Sequence, residues 1–379
     1  MRIVHIANFY GPKSGGLRTT IHQLGLGYQE NGIEFIYIVP EDRSYEEITP
    51  FGRKIAIKAP LVPGKSGYRV FLNPIVIMSL LENLRPDRIE VSDRLTLRRI
   101  GLWAKKRQIF AVVFSHENLD GLAKKFLKNL PFKQNLVNWH NRRLALSFNR
   151  VITTTKYAAK EFERIGIKNL EIVPLGVDLD QFQTGKFNPE LRKNLLKGSD
   201  ILLMHVGRLS PEKNPLMSIK TLKILLRSKV NVRLVVVGNG PLKERMMKAA
   251  KGLPVEFFGF ISDRDQLAHL LSAADITIAP GPIETFCLAA LESLASGTQV
   301  VCARSSAVSE VIGLAGLAAN NYAESFAVSI QKLLWKSDRA QRSIIARKQA
   351  ERFNWENTTH KMLNIHNIHL RAWDDEFAA

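Results

Sequence analysis

The 379-residue chain holds only two cysteines, Cys287 and Cys302. They cannot build the disulfide framework of a small secreted domain, and they lack metal-ligand spacing, so a reducing compartment is expected. Also missing is any uninterrupted apolar run of about 18 residues, which excludes a membrane-spanning helix of ordinary length. The chain opens directly on Arg2-Ile-Val-His-Ile-Ala7, without the apolar core and cleavage site of a secretory signal, and a cytoplasmic location follows as the expectation. Acidic residues are scarce: 35 Asp and Glu stand against 54 Lys and Arg, a net charge of +19. What is present, 45% apolar and 23% charged residues, suits a globular protein long enough for two domains with separate cores.

The positive excess is uneven. Residues 1–174 carry 28 Lys and Arg against 15 Asp and Glu, and residues 94–150 carry 13 against 2. That segment includes Arg98-Arg99, Lys105-Lys-Arg107, Lys124-Lys125, Lys128, Lys133 and Arg142-Arg143, interleaved with Leu, Phe and Trp139. An amphipathic basic surface of this kind is drawn to anionic lipid head groups, each well-placed cation contributing roughly 1 kcal/mol. Nucleic acid is the rival polyanion, but no nucleic-acid-binding motif is visible, so an anionic membrane surface is the expected partner.

Short apolar strands alternate with helical segments in two series. The first runs from Ile3–Ala7 through a glycine-containing loop and a helix over about 17–31 to strands at Glu34–Val39, Arg88–Val91, Phe110–Phe114, Arg150–Thr153 and Leu170–Val173. The second has strands at Ile201–Gly207, Arg233–Val237, Val255–Phe258, Asp275–Ala279 and Gln299–Cys302. Such alternation implies parallel sheets covered on both faces. Two doubly wound α/β domains facing each other across a cleft are expected, 1–174 and 175–353, with a hinge near Pro174-Leu-Gly176.

In open sheets of this type ligands bind beyond the carboxyl ends of the strands. Four features fall there. Glu284 follows the strand Asp275–Ala279 and a Pro280-Gly-Pro turn, and Glu292 is placed about two turns into the next helix. The backbone N–H groups from Phe286 through Cys287 to Leu288 open that helix and suit a phosphate. Arg208 and Lys213 leave the strand Ile201–Gly207 on a loop that opens a helix near Pro215, where two cations can clamp a diphosphate and stabilise charge on a leaving group. Gly15 and Gly16 follow the first strand, where backbone can approach an anion closely. Each feature alone also fits solvated charges or an ordinary turn; together they describe a ligand carrying both phosphate and hydroxyl groups, as a nucleotide sugar does.

Other chemistries fit less well. Gly238-Asn-Gly240-Pro has Lys243 where the dinucleotide fingerprint needs its third glycine. Asp178-Leu-Asp180 has metal–diphosphate spacing but lies beside the hinge, and no metal site is expected. A glycosidase would need two carboxylates across one bond, whereas Glu284 and Glu292 are expected to contact separate parts of a donor.

With these segments in hand, the chain resembles glycosyltransferase family 4, the retaining nucleotide-sugar-dependent transferases of GT-B fold. The resemblance rests on Ser14-Gly15-Gly16-Leu-Arg18, Val173-Pro-Leu-Gly-Val-Asp178, Val206-Gly-Arg208-Leu-Ser-Pro-Glu-Lys213-Asn and Glu284 to Glu292, in the family's order. It implies a GT-B fold, with residues after about Asn354 crossing back onto the first domain. It implies transfer of a hexose, mannose as first choice, from GDP-mannose or a UDP-hexose to a hydroxyl of a lipid-linked or glycan acceptor, without a cofactor. On this resemblance Arg208 and Lys213 hold the diphosphate, Glu284 the hexose and Glu292 the ribose, and His116, at the end of Phe110–Phe114, reaches the sugar or the acceptor. One departure stands out: Cys287 occupies a place where the family carries glycine, and a side chain there is expected to crowd the donor sugar. A catalytically silent scaffold of the same fold is the alternative.

Overall fold

The computed structural model describes residues 1–11, 15–62, 67–126 and 131–368. Ser14, Lys128, residues 369–379 with the acidic stretch Trp373–Glu376, and the side chain of Lys125 lie outside the described residues. The strands form two sheets. The first comprises β1 (Arg2–Ala7), β2 (Glu34–Glu41), β3 (Tyr45–Thr49), β4 (Gly52–Lys58), β5 (Arg88–Ser92), β6 (Phe110–Phe114), β7 (Arg150–Thr153) and β8 (Leu170–Ile172), in the order β3-β4-β2-β1-β5-β6-β7-β8. The second comprises β9 (Ile201–Val206), β10 (Val232–Val237), β11 (Val255–Gly259), β12 (Ile276–Ala279), β13 (Gln299–Ala303) and β14 (Gly316–Ala319), in the order β11-β10-β9-β12-β13-β14.

Every pairing is parallel except β3 with β4. Runs such as Leu234-Val-Val-Val237 are apolar at consecutive positions because helices cover both faces of the sheet. In each sheet the strand order reverses beside the first strand, between β1 and β5 and between β9 and β12. Those two reversals leave crevices at the carboxyl ends, where the loops after β1, β9 and β12 open.

Three strands escape the sequence pattern, β3 with its partner β4 and, in the second sheet, β14. The edge strand β3 is mostly exposed and carries Glu46 and Glu47, which blunt it against pairing with other chains. At the other end β14 reads Gly-Leu-Ala-Ala, without the β-branched residues that mark a strand.

The chain crosses between domains twice at adjacent points. Val177 N–H donates to Phe353 O (3.0 Å) and Thr358 Oγ1 to Pro174 O (2.8 Å). At Gly176 a β carbon would lie 2.3 Å from the Trp355 nitrogen, so glycine is required where the two passages touch. Beyond this crossing the helix Trp355–Ile365, N-capped by Asn354, lies against the helix Gly16–Glu30 of the first domain. Its Met362 and Leu363 are fully buried among Ile21, Leu24 and Tyr28, each side chain contributing roughly 1.5–3 kcal/mol.

Contact between these two helices is close at Gly27, where an added β carbon would stand 2.3 Å from Thr359 Oγ1 and 2.8 Å from its Cγ2. Gly27→Ala should therefore destabilise by about 1–3 kcal/mol despite alanine's better helix propensity. Adding Thr359→Ala should recover part of the loss in thermal melts; an unchanged melting temperature in Gly27→Ala would contradict this packing.

Candidate active site

At the crevice of the second sheet, the loop after β9 brings Lys213 to Glu284 on the loop after β12. Lys213 Nζ lies 2.6 Å from Glu284 Oε1 and 2.7 Å from Oε2. Burial works against the ammonium charge, but Glu284, with Cys287 and Glu212, more than offsets it and lifts the Lys213 pKa above its usual value. The turn at Pro280-Gly-Pro presses on this carboxylate: a β carbon on Gly281 would meet Glu284 Oε1 at 2.7 Å. Ala307 N–H holds the Glu284 carbonyl at 2.9 Å. The loop after β10 packs on the loop after β9, since Gly238, at φ +140°, has space for no side chain against Gly207 O. Its Gly-Asn-Gly sequence thus supports Arg208 and Lys213.

Glu292 is the fifth residue of the helix Leu288–Ala295, a little over one turn in and closer to the helix start than the sequence suggests. Its nearly buried carboxylate accepts from Arg264 Nη2 at 2.5 Å, and the Arg264 guanidinium lies 4.7 Å from the centre of the Phe182 ring. Phe286 and Leu288 turn their side chains into the core, so what they offer a ligand is backbone. Cys287 stands between them at φ +82°, ψ +80°, a conformation that costs a non-glycine residue of order 1–3 kcal/mol. That backbone explains why glycine suits this place. The thiol packs against the core and burial pushes its pKa up to about 12.

The first domain supplies the opposite wall. Gly15 caps the helix Gly16–Glu30 with open space where a β carbon would stand, and a β carbon on Gly16 would lie 3.9 Å from Leu288 Cδ1. Arg208 crosses the cleft to lie over the Tyr68 ring, 4.6 Å from its centre. His116, half-buried after β6, stacks on Phe114 and bonds through Nε2 to Ser92 Oγ (2.9 Å). Burial, with His5 nearby, lowers the His116 pKa to about 3, so the ring is neutral. Next to it Glu117 has its pKa raised to about 7 by burial, Asp93 adding to the effect and Arg94 opposing it.

Arg94 is buried, unlike Arg99, Lys105, Arg142 and Arg143 of the same basic segment. It donates to Ser115 Oγ (2.8 Å), Glu117 O (2.8 Å), Glu161 Oε1 (3.0 Å) and Asn141 Oδ1 (2.5 Å), fixing the loop that carries His116.

Hydrogen bonds between the domains converge on Thr285, adjacent to Glu284. Its Oγ1 donates to His116 O (2.6 Å), and its carbonyl accepts from Thr154 Oγ1 and Thr155 Oγ1, both at 3.0 Å. Beside it Glu310 accepts from the N–H groups of Lys156 (2.9 Å) and Tyr157 (3.1 Å), at the start of the helix Lys156–Glu163.

The structure thus gathers Gly15, Gly16, His116, Arg208, Lys213, Glu284, Phe286, Cys287, Leu288 and Glu292 around one cleft. Sequence reading missed Arg264, Thr285, Glu310, Tyr68 and the unusual Glu117, whose surroundings come from distant parts of the chain. Asp178 instead organises a turn, accepting from Gln181 N–H at 2.8 Å. Among the described residues no group of three or more His, Cys, Asp or Glu is placed to hold a metal ion.

Comparison with known proteins agrees in both halves. Residues 14–181 match the family model "Glycosyltransferase Family 4" and residues 187–350 match "Glycosyl transferases group 1". A GDP-mannose-dependent alpha-(1-6)-phosphatidylinositol dimannoside mannosyltransferase of Mycobacterium tuberculosis is 43% identical over 365 residues, covering 96% of this chain and 95% of the relative. Among solved structures, sucrose-phosphate synthase from Thermosynechococcus elongatus superposes with a TM-score of 0.76 at 19% identity, covering 97% of this chain and 98% of that one. HepE of Anabaena in complex with UDP does so with 0.73 at 16% identity, over 96% and 99%.

The raised pKa of Glu117 has a thermodynamic sign. A carboxyl that is harder to ionise when folded loses stability as pH rises from its unfolded value near 4.5 through about 7. Glu117→Gln, neutral throughout, should melt with the wild type near pH 4.5 and above it by pH 8. A melting difference independent of pH would contradict the buried setting of this carboxyl.

Proposed function

The chain belongs to glycosyltransferase family 4 and is a hexosyltransferase of GT-B fold, and we propose that it transfers mannose from GDP-mannose, with retention, to a hydroxyl of a mannosylated phosphoinositide lipid. The observation that carries this reading is the meeting of Lys213 with Glu284 at the β9/β12 crevice, opposite Gly15 and Gly16. The named donor and acceptor follow the 43% identical relative; a UDP-hexose is the competing donor.

In this mechanism the diphosphate lies between Arg208, Lys213 and the first N–H groups of the helix Leu288–Ala295. Glu284 accepts from hexose hydroxyls and Glu292 from ribose hydroxyls, displacing the Arg264 contact. As the bond from the anomeric carbon to the phosphate oxygen breaks, charge grows on the diphosphate, and Arg208 and Lys213 stabilise it there by exchanging their contacts with Tyr68 and Glu284 for the phosphate oxygens. The acceptor hydroxyl adds on the same face and gives its proton to a donor phosphate oxygen. We further propose that Arg208 and Lys213 supply the countercharge without a metal cofactor. Closure through Thr285 and Glu310 would keep water from the activated sugar.

The acceptor side has its own support. On the helices Arg98–Lys106 and Lys133–Ser147, Arg99, Lys105, Lys106, Arg142 and Arg143 are exposed beside Leu102, Leu136, Trp139 and Leu146. Lys105 Nζ donates to Leu146 O (3.1 Å), tying the two helices together. The Arg143 guanidinium lies 4.7 Å from the Trp139 ring centre. Exposed Leu95 lies on the link between β5 and the helix Arg98–Lys106. Among the described residues no helix is long and apolar enough to cross a membrane. We propose that this face rests on the cytoplasmic surface of an anionic membrane and presents the cleft to lipid acceptors.

Arg208→Ala should lower turnover of GDP-mannose on a polar-lipid extract by about 100-fold or more, the worth of one charge-stabilising contact. Glu292→Ala should mainly raise the donor KM. Wild-type kinetics in both variants would rule out the site, and turnover with UDP-glucose but not GDP-mannose would overturn the donor assignment.

For the membrane, the wild type should sediment with vesicles containing phosphatidylglycerol at low salt and be released by salt. Arg99→Glu combined with Arg142→Glu and Arg143→Glu should abolish sedimentation. A wild type that stays in the supernatant at low salt would defeat the docking proposal.

A further inference from the structure

A row of buried polar side chains runs through the first domain and ends at His116. In the register of β1 on β5, His5 stands opposite Glu90, and Ser92 lies two residues along on the same face. Glu90 is fully buried and accepts at both oxygens: Oε1 from Tyr28 OH (2.6 Å) and His366 Nε2 (2.8 Å), Oε2 from His5 Nδ1 (2.7 Å). Burial alone would raise its pKa, but the bonds from His366 and His5 outweigh that and bring it to about 2. The carboxylate is therefore ionised and acts only as an acceptor, so His5 Nδ1 carries a proton. From the other side of that ring Nε2 reaches Ser92 Oγ (2.8 Å), and Ser92 Oγ reaches His116 Nε2 (2.9 Å).

A hydroxyl has one proton. Ser92 can donate to only one of the two Nε2 atoms and must accept from the other, so the role of His116 Nε2 is set by His5, which Glu90 anchors. A neutral imidazole has one N–H and one lone pair, which leaves Nδ1 of His116 with the opposite role. The backbone carbonyl of His116 accepts from Thr285 Oγ1 (2.6 Å), which places this residue at the junction of the two domains.

We infer that Ser92, His5 and Glu90 are positioning residues: they lock His116 in one ring orientation and one tautomer, and so decide whether its Nδ1 donates to or accepts from a substrate hydroxyl. His366, at the end of the helix Trp355–Ile365, extends this support to the segment that crosses back from the second domain. A purely structural row would need no link to the cleft; the Ser92–His116 bond provides one. The inference rests on the proposed glycosyl transfer only for the identity of that hydroxyl.

The experiment uses the full chain with ¹⁵N-labelled histidine. Long-range ¹H–¹⁵N spectra should show a single His116 tautomer in the wild type. In Ser92→Ala the signals should move towards the average of the two forms, and Glu90→Gln should do the same from the far end of the row. Ser92→Ala should also lower kcat with GDP-mannose by about three- to tenfold, the worth of one hydrogen bond, while KM for the donor stays nearly constant. Mixed tautomers in the wild type, or an unchanged tautomer in Ser92→Ala, would overturn the inference. So would a tautomer that mixes without any change in kcat. Absence of turnover with GDP-mannose in the wild type would instead defeat the donor assignment, leaving the tautomer reading to stand on the spectra.

Discussion

The ion pair between Lys213 and Glu284 is the contact around which the cleft is organised. It joins the loops after β9 and β12, the two strands flanking the reversal of order in the second sheet, and so fixes the mouth of the crevice. The Glu284 side chain is only 13% exposed, and a carboxylate so enclosed is costly unless paired. The pair therefore constrains both loops, and Gly281, Gly238 and the Ala307 N–H bond are the local devices that let backbone approach closely enough to hold it. Arg264 plays the same part for Glu292. Glu284 and Glu292 each face a cation in this structure, and under the proposed function a ligand bearing both phosphate and hydroxyl groups would exchange with these pairs with little loss of solvation.

Closure is built from the same segments. Thr285 adjoins Glu284 and bonds to His116, Thr154 and Thr155 of the first domain; Arg208 stands over Tyr68. Residues of the candidate site thus alternate along the chain with groups gripping the opposite domain. Assembly of the site and approach of the domains are in this way one event, which suits chemistry that must proceed without water.

The fold was largely legible because parallel strands buried on both faces announce themselves as short apolar runs, as Leu234–Val237 and Ile3–Ala7 do. The exposed edge strand β3 and the small-residue strand β14 lack that pattern, and β3 with its partner β4 formed a hairpin that apolar runs did not reveal. At the site, Glu284, Arg208 and Lys213 could be found because turn residues place them at strand ends. Arg264, Thr285 and Glu310 could not, since their partners are remote in sequence and ordinary in composition. Glycine in place of Cys287 is explained only by its positive φ, which no side-chain pattern encodes. Likewise His5 and Glu90 look like lone polar residues in two strands until strand register sets them face to face.

The central claim is that one cation–carboxylate constellation holds the two ends of an activated sugar. It is tested most directly by calorimetric titration of wild type and Glu284→Gln with GDP and with GDP-mannose. If Glu284 holds the hexose, the substitution should erase the affinity gained from the sugar while leaving GDP bound at least as well, because Lys213 is released towards the phosphates. Equal weakening of both ligands, or no change in either, would contradict the account.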